Sequence, residues 1–147
     1  MVDIEVMGDG NIAELARLFG QYREFYSATA DYPSDVAFLE QFLDQEKGVF
    51  FVAKCDGDYV GYVSLYFSYS SVSAKQIAIL NDLYVREKFR GRGIGRALMN
   101  HAITESKAMG VSQVRWCTRI DNDQAQGLYV KYSEAKKTDW YHYDLGV

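Results

Sequence analysis

Residues 90–96 read Arg-Gly-Arg-Gly-Ile-Gly-Arg, a stretch that joins bare backbone to positive charge. They follow a strand-like run, residues 77–85 (IAILNDLYV), and open a helical pattern that extends to residue 109. Glycines without Cβ atoms let a ligand approach the chain and leave N–H groups accessible. The first turn of the following helix adds unpaired N–H groups and a partial positive charge. The ligand this combination suits is a phosphate or pyrophosphate.

Three loop types compete for this stretch. A P-loop requires G-x-x-x-x-G-K-[ST]. Counting from Gly91 puts Ala97 at the lysine position, and counting from Gly93 puts Leu98 at the second glycine. A dinucleotide fingerprint requires G-x-G-x-x-G, yet Arg96 stands at its third glycine and Gly95 comes one residue early. Such a loop also follows the first strand of its domain, whereas several strand-like and helical segments precede this one. The third type is Arg/Gln-x-x-Gly-x-Gly/Ala, and Arg90-Gly91-Arg92-Gly93-Ile94-Gly95 satisfies every position. Here the chain resembles the GNAT superfamily of N-acetyltransferases.

A second motif supports the resemblance. Residues 121–129 (DNDQAQGLY) are similar to that family's Asn-x-x-Ala-x-x-Leu-Tyr segment. Asn122, Ala125 and Tyr129 fall at i, i+3 and i+7, which is one face of a helix, with Asp121 or Asn122 as its N-cap. Read without the family, this is a capped amphipathic helix ending in a tyrosine. The order of the two motifs, with a strand-like run at 113–118 between them, favours the family reading.

The resemblance implies acetyl-CoA as donor and acyl transfer from a thioester to an amine. The backbone of Leu83, Tyr84 and Val85 would line the pantetheine arm. The loop Arg90, Gly91, Arg92, Gly93, Ile94, Gly95 and Arg96 would take the pyrophosphate, and Asn122 and Tyr129 would contact the coenzyme. An alkyl amine has a pKa of about 10.4, so only about one molecule in 10³ is neutral at pH 7. A base is therefore needed, and the leaving thiolate gains from an acid. Tyr129 is the candidate acid. Relatives similar to spermidine/spermine N-acetyltransferase carry Leu-Glu-Asp where this chain has Leu80-Asn81-Asp82. Asn81 cannot take a proton at neutral pH, so the base falls to Asp82, to a water chain or to an acid of the N-terminal helices. The expected acceptor site lies on the first helices and the 59–69 strand, where Tyr22, Tyr26, Tyr62, Tyr66 and Tyr69 cluster in sequence. With Asp82 they would hold a cationic amine by cation–π contact and hydrogen bonds. The 132–140 segment, with Trp116-x-Thr118 before it, looks like the subgroup that acetylates histones and D-amino acids. That subgroup's likeness implies a homodimer through the late strands.

Positioning these groups requires a framework, and the periodicity supplies one. Residue 4–6 strand, 11–26 helix, a second helix capped by Ser34 or Asp35 and running to residue 45, 49–55 strand, an Asp56-Gly57-Asp58 turn and 59–69 strand come before the loop. After it come the helix to 109, a 113–118 strand, a 123–132 helix and a final 140–145 strand. This order matches that of the family throughout, so the resemblance implies the α/β acyl-CoA N-acyltransferase fold: a mixed twisted sheet with helices on both faces, one domain over 1–147. The 147 residues, 48% hydrophobic and 24% charged, suffice for a real core. No apolar run approaches roughly 18 residues, so no membrane partner is expected, and the acidic N-terminus lacks a signal-peptide pattern. Two cysteines without metal spacing and two histidines far apart give no metal site and suit a reducing, cytoplasmic compartment. A net charge of −4 argues against a nucleic-acid partner, while the basic cluster at 86–96 suits a small polyanion. The acceptor is expected to be a small-molecule primary amine. The alternatives are a protein or peptide acetyltransferase and a non-catalytic acyl-CoA-binding domain.

Overall fold

The computed structural model describes residues 1–147. Strands β2 (Gly48–Cys55) and β3 (Asp58–Ser70) form a hairpin whose turn residues, Asp56 and Gly57, take φ of +51° and +88°. These are the positive angles that a two-residue hairpin loop needs to match strand twist. Strand β1 (Val2–Val6) pairs antiparallel with β2, and β4 (Lys75–Val85) antiparallel with β3. A two-residue strand, β5 (Val114–Arg115), pairs parallel with β4. The sheet is thus mixed, in the order β1-β2-β3-β4-β5.

Alternation along the strands sends side chains to opposite faces. Phe50, Val52 and Tyr62 join Leu15, Ala16 and Leu18 of helix α1 (Ile12–Phe25) and Leu39 of helix α2 (Tyr32–Asp44) in one core cluster. Phe51, from the other face of β2, meets the ring of His101 on helix α3 (Ile94–Ala108) at 4.7 Å. The face of α3 that includes Ile94, Leu98, Met99 and Ala102 is buried. Helices therefore cover both faces, as the family resemblance implies.

Several local expectations need correction, among them the helix expected over 123–132, which spans Asp123–Tyr129. Helix α2 begins at Tyr32 and is capped by Asp31, not by Ser34 or Asp35. The Asp31 carboxylate accepts from the amide and hydroxyl of Ser34, and Pro33 sits in the first turn where its missing N–H costs nothing. Asp35 is instead buried and ion-paired with Arg23 of α1, clamping the two helices. The expected 113–118 strand shrinks to Val114–Arg115, because its ladder with β4 ends at Ile79. Just beyond, β4 bulges: Ser64 faces Asp82 and Leu65 faces Leu80, so Asn81 has no partner on β3.

The chain divides into two compact units, Met1–Cys117 and Thr118–Val147. The sheet and α1–α3 belong to the first. The second contains one helix, α4 (Asp123–Tyr129). The expected 140–145 strand is not formed. Trp140, Tyr141, Tyr143 and Leu145 are 79–92% exposed and pair with no ladder, so their near-alternating pattern has no partner to fix it. No helix of the chain is long and apolar enough to cross a membrane.

Candidate functional site

The end of β4 has one paired edge and one edge without a neighbouring strand. On one side, residues Asp82–Val85 pair with Ser64–Gly61 of β3. On the other side β5 stops at the level of Ile79, so no strand of the sheet covers the edge of Leu83, Tyr84 and Val85. An uncovered strand edge offers alternating N–H and C=O groups to an extended ligand. The short 3-10 turn Glu87–Phe89 then leads into the glycine loop.

Gly91 and Gly93 take φ of +76° and +80°, the left-handed region that other residues enter at a cost. Gly93 is the N-cap of α3 and brings no side chain to it. The amides of Gly91 to Arg96 donate to no acceptor of the chain, which leaves a row of donors at a positive helix end. Ile94 contributes only its backbone, since its side chain is in the core. The arginines divide their work. Arg90 donates from Nε to the Val85 carbonyl at 2.8 Å, and its guanidinium lies 5.6 Å from the Phe25 ring and 5.8 Å from the Tyr84 ring. It is a strut that holds the loop to β4 and α1. Arg92 packs over Phe89 at 5.3 Å, and Arg96 is exposed. None of the three forms an ion pair within the chain.

Behind the Leu83–Val85 edge, on the α1–α2 face, Asp82 is 3% exposed and has no cationic partner. Ser64 Oγ donates to its Oδ2 at 3.0 Å, and Asn81 Nδ2 donates to its Oδ1 at 2.9 Å. The Asp82 amide returns a bond to Ser64 Oγ at 3.0 Å. The bulge at Asn81 makes this possible, because it sets Asn81 beside Asp82 and turns Asp82 toward Ser64. Burial pushes the Asp82 carboxyl above the usual carboxylate range. The Ser64 hydroxyl, the Tyr22 hydroxyl, the Asn81 amide and the Tyr62 hydroxyl offset part of that rise.

Tyrosines enclose the carboxylate. Rings of Tyr22, Tyr62 and Tyr84 touch pairwise at centroid distances of 6.0–6.3 Å. Burial raises the Tyr22 and Tyr62 phenols, and the Asp82 charge adds to both; Tyr66 is pushed up to about 12 for the same reasons. All stay protonated donors at neutral pH. The Tyr62 hydroxyl lies near enough to Asp82 to favour its anion, yet it makes no hydrogen bond of ordinary geometry. Tyr26 stands further out, exposed and with its ring tilted against that of Tyr22 at a centroid distance of 5.0 Å. Tyr69 is 77% exposed and takes no part. A cavity of about 550 Å³, lined by Gln21, Tyr84, Arg86, Glu87 and Lys88, opens beside this cluster.

In the second unit, Asn122 is the N-cap of α4, and its Oδ1 accepts from the Ala125 amide at 3.1 Å. Asp121, the other cap candidate, is held by a two-pronged bond from Arg119. Tyr129 ends the helix, half-buried and engaged with neighbours. The residues that reading the sequence missed are Ser64 and Gln21. Ser64 was legible in part, since it alternates with Tyr62 and Tyr66 on β3 and so shares their face.

The chain matches the acetyltransferase (GNAT) family over residues 13–133. It belongs to that family. Among its GNAT relatives is YhfO of Bacillus subtilis, an uncharacterised N-acetyltransferase, 36% identical over 92% of this chain and 91% of YhfO. Another is HPA3 of Saccharomyces cerevisiae, a D-amino-acid N-acetyltransferase, 35% identical over 56% of this chain and half of HPA3. A crystal structure of a probable acetyltransferase superposes with a TM-score of 0.88 at 31% identity, covering 99% of this chain and 97% of that one. GNAT membership supports acyl transfer to nitrogen as the activity, and the five-stranded mixed sheet with its four helices is that fold.

Proposed function

We propose that this protein transfers an acetyl group from acetyl-CoA to a primary amine of a small molecule. The observation that carries the reading is a continuous arrangement: the uncovered edge of Leu83–Val85, the unpaired amides of Gly91–Arg96 beyond it, and a buried carboxylate without a cation behind it. The residues fit the coenzyme on this ground. The strand edge takes the amide-bearing pantetheine arm, and the loop amides with Arg92 and Arg96 take the pyrophosphate. Asn122 is the further coenzyme contact, through the side-chain amide its capping role leaves over. The small-molecule acceptor draws on the likeness to a thialysine N-epsilon-acetyltransferase of Bos taurus and an L-ornithine N5-acetyltransferase of Arabidopsis thaliana.

Acetyl-CoA, when bound, supplies a thioester carbonyl as electrophile. Asp82 takes one N–H proton from the acceptor ammonium, and the freed nitrogen lone pair forms the C–N bond. The C–S bond breaks with its electron pair going to sulfur, the Tyr129 hydroxyl gives sulfur a proton, and the nitrogen, cationic once bonded to carbon, gives up its second proton to solvent. Asp82 returns its proton through solvent, Tyr129 regains one, and one proton is released per turnover. Strand-edge N–H groups at Leu83–Val85 polarise the carbonyl oxygen.

A thiol-release assay with acetyl-CoA and a panel of small amines tests the reading, and release above the amine-free rate is expected. Tight acetyl-CoA binding with no release from any amine would instead favour a non-catalytic acyl-CoA-binding domain. Preference for a lysine peptide over every small amine would favour a protein acetyltransferase. Tyr129→Phe is expected to lower kcat by about 10–100-fold with little change in acetyl-CoA affinity. That lies at or below the roughly 10²–10⁴-fold range for a general acid, because a thiol of pKa about 8.5 leaves readily. An unchanged kcat across pH would reject Tyr129 as the acid.

A further inference from the structure

The buried cluster around Asp82 leaves two groups incompletely matched. Asp82 is a carboxylate with donors around it but no cation, and the Tyr62 hydroxyl, 0% exposed, has no hydrogen-bond partner. Buried polar groups are normally paired, and buried charges are normally neutralised. Both deficits sit at one place, since Tyr62 and Asp82 project from neighbouring strands to the same face of the sheet. A ligand that satisfied both would bring positive charge and several N–H donors. An anion is excluded by the carboxylate, and a neutral hydroxyl would leave the charge uncompensated.

We propose that this pocket takes the terminal ammonium of an unbranched acceptor, R–CH2–NH3+, with Tyr62 as its second hydrogen-bond acceptor beside Asp82. The inference rests on the acetyl-transfer reading above and narrows its acceptor to slender primary amines. An ammonium presents three N–H donors, and a phenolic hydroxyl can rotate to accept one. Asp82 accepts another and is the group to which that proton passes. The faces of Tyr22, Tyr62 and Tyr84 add cation–π attraction.

Enclosure sets the shape of the guest. Tyr84 lines the open cavity, and Tyr22 touches Tyr84 on one side and contributes its hydroxyl to Asp82 on the other. A ligand entering from the cavity must part these two rings. A methylene chain needs little room there. A carbon that carries a branch next to nitrogen needs more, and a carboxylate on that carbon would come close to the Asp82 anion, which repels it.

The test compares 1-aminobutane with 2-aminobutane, amines of like basicity that differ in branching at the carbon next to nitrogen. Thiol release from acetyl-CoA is followed in the parent protein, in Tyr22→Ala and in Tyr62→Phe. In the parent, kcat/KM for the linear amine is expected to exceed that for the branched one by about 30-fold. In Tyr22→Ala the ratio falls to about threefold or less. In Tyr62→Phe, kcat/KM for the linear amine drops roughly tenfold, the worth of one hydrogen bond to a charged group, while acetyl-CoA affinity stays at the parent value. Equal use of the two amines by the parent overturns the inference and leaves acetyl transfer standing, as does a Tyr62→Phe variant with parental kcat/KM. No release from any amine removes both. The comparison within the parent needs no variant to fold.

Discussion

Gly93→Glu is expected to raise the Kd for acetyl-CoA by at least about 100-fold while leaving the protein folded. Gly93 holds φ of +80° at the N-cap of α3, and a Cβ built there meets no atom within 4 Å. The substitution therefore costs backbone strain of about 1–2 kcal/mol and no clash. Its effect on binding has two sources. A carboxylate at this point lies beside the phosphate charges, and like charges at short range cost on the order of 1 kcal/mol or more each. The same carboxylate can also turn back onto the unpaired amides of Ile94 to Arg96, a stabilising position at a helix N-terminus, and so compete for the donors that the pyrophosphate needs. Together these reach about 3 kcal/mol, hence the 100-fold. Gly93→Ala carries the strain without the charge and is expected to keep affinity within about tenfold. Calorimetric titration of acetyl-CoA measures both. Parental affinity in a folded Gly93→Glu protein would remove the loop from the coenzyme site.

Why that loop was legible, and the acceptor site largely not, follows from how each is built. The loop is local. Its glycines are required by backbone angles at Gly91 and Gly93, its amides are freed by the start of α3, and both causes lie within seven consecutive residues. The hairpin and the long amphipathic helices were legible for the same reason: the helix expected over 11–26 runs Ile12–Phe25, and the strand expected over 59–69 runs Asp58–Ser70. Asp82 and the tyrosines Tyr22, Tyr62 and Tyr66 stood out in the sequence, but the contacts that join them did not. They depend on β3–β4 register, on the bulge that gives Asn81 to Asp82 as a donor, and on α1 laying Tyr22 over the sheet. No pattern within β4 announces Ser64. The α2 cap failed for a related reason, since Asp35 was recruited by Arg23 twelve residues upstream, a partner that only the helix pairing supplies. The 140–145 segment has a strand's near-alternating pattern without a strand's ladder, and periodicity alone does not create the neighbour that backbone groups require.

Asp82→Asn is expected to lower kcat/KM for a primary amine at pH 7 by about 10²–10⁴-fold, the range for losing a positioned base. The asparagine keeps the size of the side chain, and its amide can donate to Ser64 Oγ or to the unpaired Tyr62 hydroxyl, so the pocket remains filled. It cannot take a proton. The variant's rate should then follow the fraction of amine that is already neutral, rising about tenfold per pH unit toward the amine pKa of about 10.4. The parent should show an acidic limb in kcat/KM above the ordinary carboxylate range, where the buried Asp82 gains its proton, and the variant should lack it. Stability is expected to move the opposite way. Because the folded protein raises the Asp82 pKa, its contribution to stability is present below the unfolded value and is lost as pH rises through the folded one. At neutral pH the folded chain thus carries a buried anion at a cost, which the asparagine removes. Asp82→Asn should melt at a higher temperature than the parent at pH 7, with the gap closing as pH falls toward about 4. A variant that keeps its activity at pH 7, or loses it without alkaline recovery, would take the base role away from Asp82. A protein that grows more stable as it loses its reaction would place the uncompensated charge where the acceptor ammonium is meant to neutralise it.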